Sequence, residues 1–149
     1  MSVRAWKAAT WLRVLAVILG LFALGHTLGT AAPKVTRGVR EAVVFRAMQG
    51  YRFPMLGFER SYWEFYRGFA LTISLLMFVL AALAWQLAAV SRRAPREALP
   101  MAVSLLVGCV GLLVLGVAFF FIPPIVFSAA AVGVAGWVVV LLRREAGRF

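Results

Sequence analysis

Read for side-chain polarity alone, the chain alternates long apolar windows with short polar gaps. Val14 to Pro33 and Gly68 to Ser91 hold no charged residue, and Ala98 to Leu142 holds none either, with Pro123-Pro124 as the interruption near its middle. A helix rises about 1.5 Å per residue, so roughly 20 apolar residues cross the hydrocarbon core of a bilayer. The first two windows each supply one crossing, and the third supplies two with the proline pair at the reversal. The pattern predicts an all-α integral membrane four-helix bundle. It forms a single transmembrane domain over 1–149, with spans of about 11–30, 62–91, 99–121 and 124–142.

The gaps carry their own periodicity. The first span stops before Pro33, because the residue preceding a proline is pushed out of helical geometry. From Lys34 to Gln49, Val35, Val39, Val43 and Met48 recur near helical spacing while Arg37, Arg40 and Arg46 fall largely elsewhere. This predicts a short interfacial helix within the 31–61 connection. Gly50 ends that helix, and Tyr51 to Arg60 reads as a loop broken by Pro54 and Gly57. Ser61-Tyr62-Trp63-Glu64 has the form of a capping box, which starts the second span. Tyr62, Trp63, Phe65 and Tyr66 place its first turn at head-group depth. Ser91 to Pro100 reads as a short basic turn. Gly25 and Gly29, then Ser104, Gly108 and Gly111, then Ala129, Gly133 and Gly136 are the expected points of close helix approach.

Composition sharpens this picture. With 64% hydrophobic residues, 14% charged residues and a mean hydropathy of +0.94, the chain has too much apolar surface for a water-soluble globule. A formal charge of +11 suggests nucleic acid in a soluble protein, but these sixteen basic residues sit in the gaps between spans. They read as topology and head-group charges, and no nucleic-acid partner is expected. Met1 to Ala32 has the outline of a secretory signal, but Pro33 is a poor residue to follow a cleavage point, so the segment is read as a retained span. With both termini inside, nine Lys and Arg residues lie on the cytoplasmic side and seven on the other. That bias predicts a multi-pass membrane protein with cytoplasmic termini.

Polar groups within a span are costly and therefore candidates for function. His26, the sole histidine, lies in the outer half of the first span with Thr30 one turn on. Arg60, Glu64 and Arg67 share one face at the start of the second span. All of these, with Tyr66, belong to one side of the membrane, whereas the last two spans offer only Ser104, Cys109 and Ser128. A pocket is therefore expected in the outer leaflet between the first two spans, apolar below and cationic at its mouth. Its ligand-binding residues would be His26, Thr30, Arg60, Glu64, Tyr66 and Arg67. One histidine, one cysteine and no aspartate give no metal site of ordinary ligand count. A haem held by His26 with Met48 or Met55, or a nucleophilic pair of Cys109 and His26, has no supporting motif. No cofactor and no reaction is assigned.

Gly25-His26-Thr27-Leu28-Gly29, Phe53-Pro54-Met55 with Gly57, and Arg60-Ser61-Tyr62-Trp63-Glu64-Phe65-Tyr66-Arg67-Gly68-Phe69 together resemble an uncharacterised family of small bacterial four-span membrane proteins. The GHTxG and SYWxFYxGF motifs carry the likeness, which runs from about Gly25 to Gln86. The resemblance implies the fold and a focus on His26 and the Ser61 to Phe69 helix start, and no reaction. A looser likeness to DoxX-like four-helix membrane proteins implies the bundle alone.

Two functions are expected from these features. In one, the pocket binds a lipid-like, quinone-like or isoprenoid-like molecule. There His26 acts as hydrogen-bond partner or general acid/base, Glu64 as its polar partner, and Arg60 or Arg67 as the anion contact. In the other, the chain is a non-enzymatic accessory or assembly subunit of a larger membrane complex, or a homo-oligomer, docking through its small-residue faces.

Overall fold

The computed structural model describes residues 3–147, and only the backbone of residues 3–5; Arg148, one of the basic residues counted above, lies outside them. The chain is all-α apart from one small hairpin. It runs α1 (Val3–Ala31), α2 (Val39–Gly50), β1 (Arg52–Met55), β2 (Phe58–Ser61), α3 (Tyr62–Arg93), α4 (Pro95–Phe119) and α5 (Ile122–Ala146). Four helices, α1, α3, α4 and α5, are long and apolar enough to cross a membrane, and α2 is the short helix between the first two spans. At 32 residues α3 is about 48 Å long, more than the roughly 30 Å of hydrocarbon that a span must cross. By their contacts the residues divide into two compact units, Met1–Ala23 with Met77–Phe149, and Leu24–Leu76.

In the first unit, segments of all four long helices share one core. The buried positions follow a heptad-like spacing of three and four: Leu12, Leu15 or Ala16, and Leu19 on α1; Met77, Ala84, Leu87 or Ala88, and Ser91 on α3; Ala98, Ala102, Leu105 and Cys109 on α4; Ser128, Ala131, Ala135, Val138, Leu142 and Glu145 on α5. This is the spacing of helices packed side by side at a shallow angle. Alanines make the close approaches. A Cβ built on Gly108, Gly111, Gly133 or Gly136 would meet nothing within 4 Å, so the expected glycine contacts are absent there. Only Gly116 faces a neighbour across helices, Ile125 at 3.7 Å. Cations on aromatic rings tie α1 to α3, with Arg13 5.4 Å from the Trp85 ring and Arg92 5.2 Å from the Trp6 ring. Phe22 stacks on Phe127 at 5.3 Å.

Proline positions shift two expected boundaries. The basic turn expected from Ser91 to Pro100 shrinks to Ala94, because Pro95 occupies the first turn of α4, where its missing N–H has no intrahelical partner to lose. Pro100 lies inside α4 and forgoes one bond, to the carbonyl of Arg96. Pro123-Pro124 likewise begins α5, and the reversal itself is made by Phe120 and Phe121, both extended.

In the second unit the expected loop at Tyr51 to Arg60 is instead an antiparallel hairpin, with Arg52 opposite Ser61, Phe53 opposite Arg60, Pro54 opposite Glu59 and Met55 opposite Phe58. Leu56 and Gly57 take positive φ values of 49° and 85°, which a two-residue type I′ turn requires at both central positions. Pro54 is tolerated because every second N–H of a two-stranded ribbon points away from its partner. Helix α2 starts at Val39, later than expected, and Phe45 is on its packed side, edge-on to Trp63 at 5.5 Å. Val39, Val43 and Val44 are exposed.

The alanine seams set a test. Ala84 is 0% exposed, whereas Ala82 on the same helix is exposed. Ala84→Leu should overpack the core and cost about 1–3 kcal/mol, lowering the thermal midpoint in detergent, while Ala82→Leu leaves it unchanged.

Candidate ligand-binding site

The polar residues singled out in the sequence gather in the Leu24–Leu76 unit, but as two separate arrangements. The first is internal. His26 Nδ1 lies 2.9 Å from Ser74 Oγ, which in turn donates to the Ala70 carbonyl at 3.2 Å. A serine hydroxyl has one proton, and here it goes to Ala70. Assigned on that basis, Nδ1 donates and the Nε2 of the neutral ring carries the free lone pair. Thr30 Oγ1 donates to the His26 carbonyl at 2.8 Å, and Lys34 Nζ to that of Gly29 at 3.2 Å. The Ser74–His26 distance suits a nucleophile and its base. Ser74 is nevertheless only 4% exposed and its proton is committed to the backbone, so the pair bridges two helix segments and does not present a nucleophile.

The second arrangement is the start of α3. Glu64 Oε2 accepts from the Ser61 backbone N–H at 2.6 Å and the Glu64 N–H donates to Ser61 Oγ at 3.2 Å, which is the reciprocal capping box. Arg52 lies against two carboxylates, with Nη2 3.9 Å from Glu64 and Nε 3.7 Å from Glu59. Glu64 is thus held by Ser61 and Arg52 and is not the partner of His26. Ten residues of helix, about 15 Å, separate Glu64 from Ser74. The expected pairing of His26 with Glu64 is therefore not made.

What the α3 start does form is a groove of about 320 Å³ lined by Arg60, Glu64, Phe65, Gly68, Phe69 and Thr72. Glu64, Phe65, Gly68, Phe69 and Thr72 recur at helical spacing on one side of α3, and Ser74 falls on another. Thr72 closes its own polarity by donating to the Gly68 carbonyl at 2.9 Å. Arg60 stands at one end, donating to the Glu59 carbonyl at 2.9 Å and lying 5.2 Å from the Phe58 ring. Phe65, Gly68 and Phe69 make the apolar part of the wall, and Glu64 adds a carboxylate to it. Tyr66 is outside the groove, stacked on Trp63 at 5.4 Å, and Arg67 is exposed and does not line it.

Two residues were missed in the sequence. Ser74 sits at heptad spacing from Ala70 and Met77, which marks it as inward. Glu145, at 4% exposure, lies in the first unit. Its spacing of three and seven from Leu142 and Val138 places it on the buried seam. Comparison of the chain with protein families, curated proteins and solved structures gave no match.

Replacing Ser74 by Ala removes the acceptor for His26 Nδ1–H. The expected cost is about 0.6 kcal/mol, the average for a side-chain hydrogen bond between membrane helices. The decisive readout is the ring: ¹⁵N NMR of His26 should report the Nδ1–H tautomer in the parent protein and a shift toward Nε2–H in Ser74→Ala.

Proposed function

We propose that this protein binds a membrane amphiphile with an anionic or strongly polar head at the membrane-interface start of α3. The observation that supports the reading is the groove itself. It has an apolar wall of Phe65, Gly68 and Phe69 for an acyl or isoprenoid chain, and the Arg60 guanidinium at the end where a phosphate or other oxyanion would sit. The Leu24–Leu76 segment adds to the attraction with seven Lys and Arg residues against three Glu. On this reading Arg60 is the anion contact, and Phe65, Phe69 and Thr72 line the chain. Glu64 fixes the helix start through Ser61, and His26 and Thr30 brace the neighbouring helix segments. Lipid-like and isoprenoid-like ligands suit the groove better than quinone-like ones, whose heads carry no charge for Arg60 to meet. The protein would sit in the bacterial inner membrane with both termini cytoplasmic, which the Lys and Arg distribution favours.

A second reading, an accessory subunit of a larger membrane complex or a homo-oligomer, is favoured by the outward glycines. Gly25, Gly29, Gly108, Gly111, Gly133 and Gly136 all have open space beside them, where a foreign helix can approach closely.

Native mass spectrometry from a mild detergent separates the two. The first reading expects retained phosphatidylglycerol, with Arg60→Gln lowering retention about tenfold, near the strength of a hydrogen bond to a charged group. Arg143→Gln, at the end of α5, should leave it unchanged. Equal retention in parent protein and Arg60→Gln removes the reading, and a stoichiometric protein partner in place of lipid supports the second.

A further inference from the structure

The hairpin has two chemically distinct faces. Side chains of paired residues point the same way and alternate along each strand, so the register puts Phe53, Met55, Phe58 and Arg60 on one face and Arg52, Pro54, Glu59 and Ser61 on the other. The second face is polar and internally paired, Arg52 lying against Glu59 and Glu64. The first is apolar with one cation, and it ends in Leu56, which is 95% exposed, beside Phe58 at 63%. Leu56 is held at positive φ, where Gly, Asn or Asp is less strained, so an apolar residue occupies the tip against the backbone preference.

The apolar face does not stop at the hairpin. Phe53 contacts Phe65 at 5.6 Å, and Phe65 contacts Phe69 at 6.0 Å, on the exposed side of a membrane-spanning helix. One apolar surface thus runs from the hairpin tip onto the exposed side of a helix long and apolar enough to cross a membrane. The cation is placed as a snorkelling arginine is, its guanidinium over the Phe58 ring at 5.2 Å.

We propose that the hairpin is a membrane-interface element: its Phe53, Met55 and Phe58 face and the Leu56 tip lie in the boundary between head groups and acyl chains, and Arg60 meets anionic lipid phosphate there. The occupant of this face is the bilayer leaflet itself. The Arg52–Glu59 face stays in water. Amphipathic elements of this kind bury about 5–10 Å into the boundary, and exposed Phe and Leu side chains flanked by arginine are the composition that does so. This assignment does not depend on whether the groove retains a particular amphiphile.

The test uses the full-length protein with Cys109→Ala, which removes its one native cysteine. Single cysteines at Phe58→Cys and Glu59→Cys, with Leu56→Cys as a second apolar-face position, are labelled with an environment-sensitive fluorophore. The labelled proteins are reconstituted in phosphatidylcholine–phosphatidylglycerol vesicles containing acyl-chain nitroxide lipid. Labels at 58 and 56 should be blue-shifted and lose most of their emission to the nitroxide, while the label at 59 keeps its emission and is quenched by aqueous iodide. Equal nitroxide quenching at 58 and 59, or iodide quenching at 58 and 56, overturns the proposal. Shielding of 58 and 56 from both quenchers also overturns it, by showing that protein covers the face.

Discussion

A polar group in hydrocarbon has no water to fall back on, and an unsatisfied one costs several kcal/mol. This chain meets the constraint locally. Thr10, Thr30, Thr72, Ser74, Ser104 and Ser128 each donate to the carbonyl four residues back, and Ser91 to the carbonyl three back. The hydroxyls are thereby folded into the helices that carry them and leave little for chemistry. His26 is different, because its ring reaches another helix segment to find Ser74. The same constraint explains why Glu64, at the edge of the span, is held by Ser61 and Arg52.

With the polar groups consumed, helix association depends on shape. Lipid tails solvate a leucine as well as another leucine does, so packing must come from surfaces that fit closely. Here the fit comes from alternating alanine and leucine in heptad-like seams, which bring backbones together without the conformational cost of glycine. The glycines that remain on outer surfaces leave the bundle with faces that lipid or another helix can cover.

Most of the architecture was legible because hydropathy over 20 residues is a strong signal: three apolar windows and a proline pair gave four helices. The fine structure was less so. Pro54 and Gly57 read as breakers, yet the period-two alternation of Phe53 and Met55 with Arg52 and Pro54 was present beside them, and Gly57 was the residue a mirror-image turn needs. The capping box at Ser61 and Glu64 was readable, since it depends on four adjacent residues. The partner of His26 was not, because proximity in a bundle depends on which faces meet, and no local pattern encodes how far α3 extends before it passes α1. Inverting the glycine and alanine roles was a similar error: both are small, and only packing tells which is turned inward.

The two-residue Phe120-Phe121 link has a consequence for biogenesis. No charge lies anywhere between Ala98 and Leu142, so α4 and α5 can partition from the insertion machinery into lipid as one folded hairpin, with no hydrophilic cargo to translocate. Orientation is then left to the contest between the seven Lys and Arg residues from Lys34 to Arg67 and the nine on the other side of the membrane.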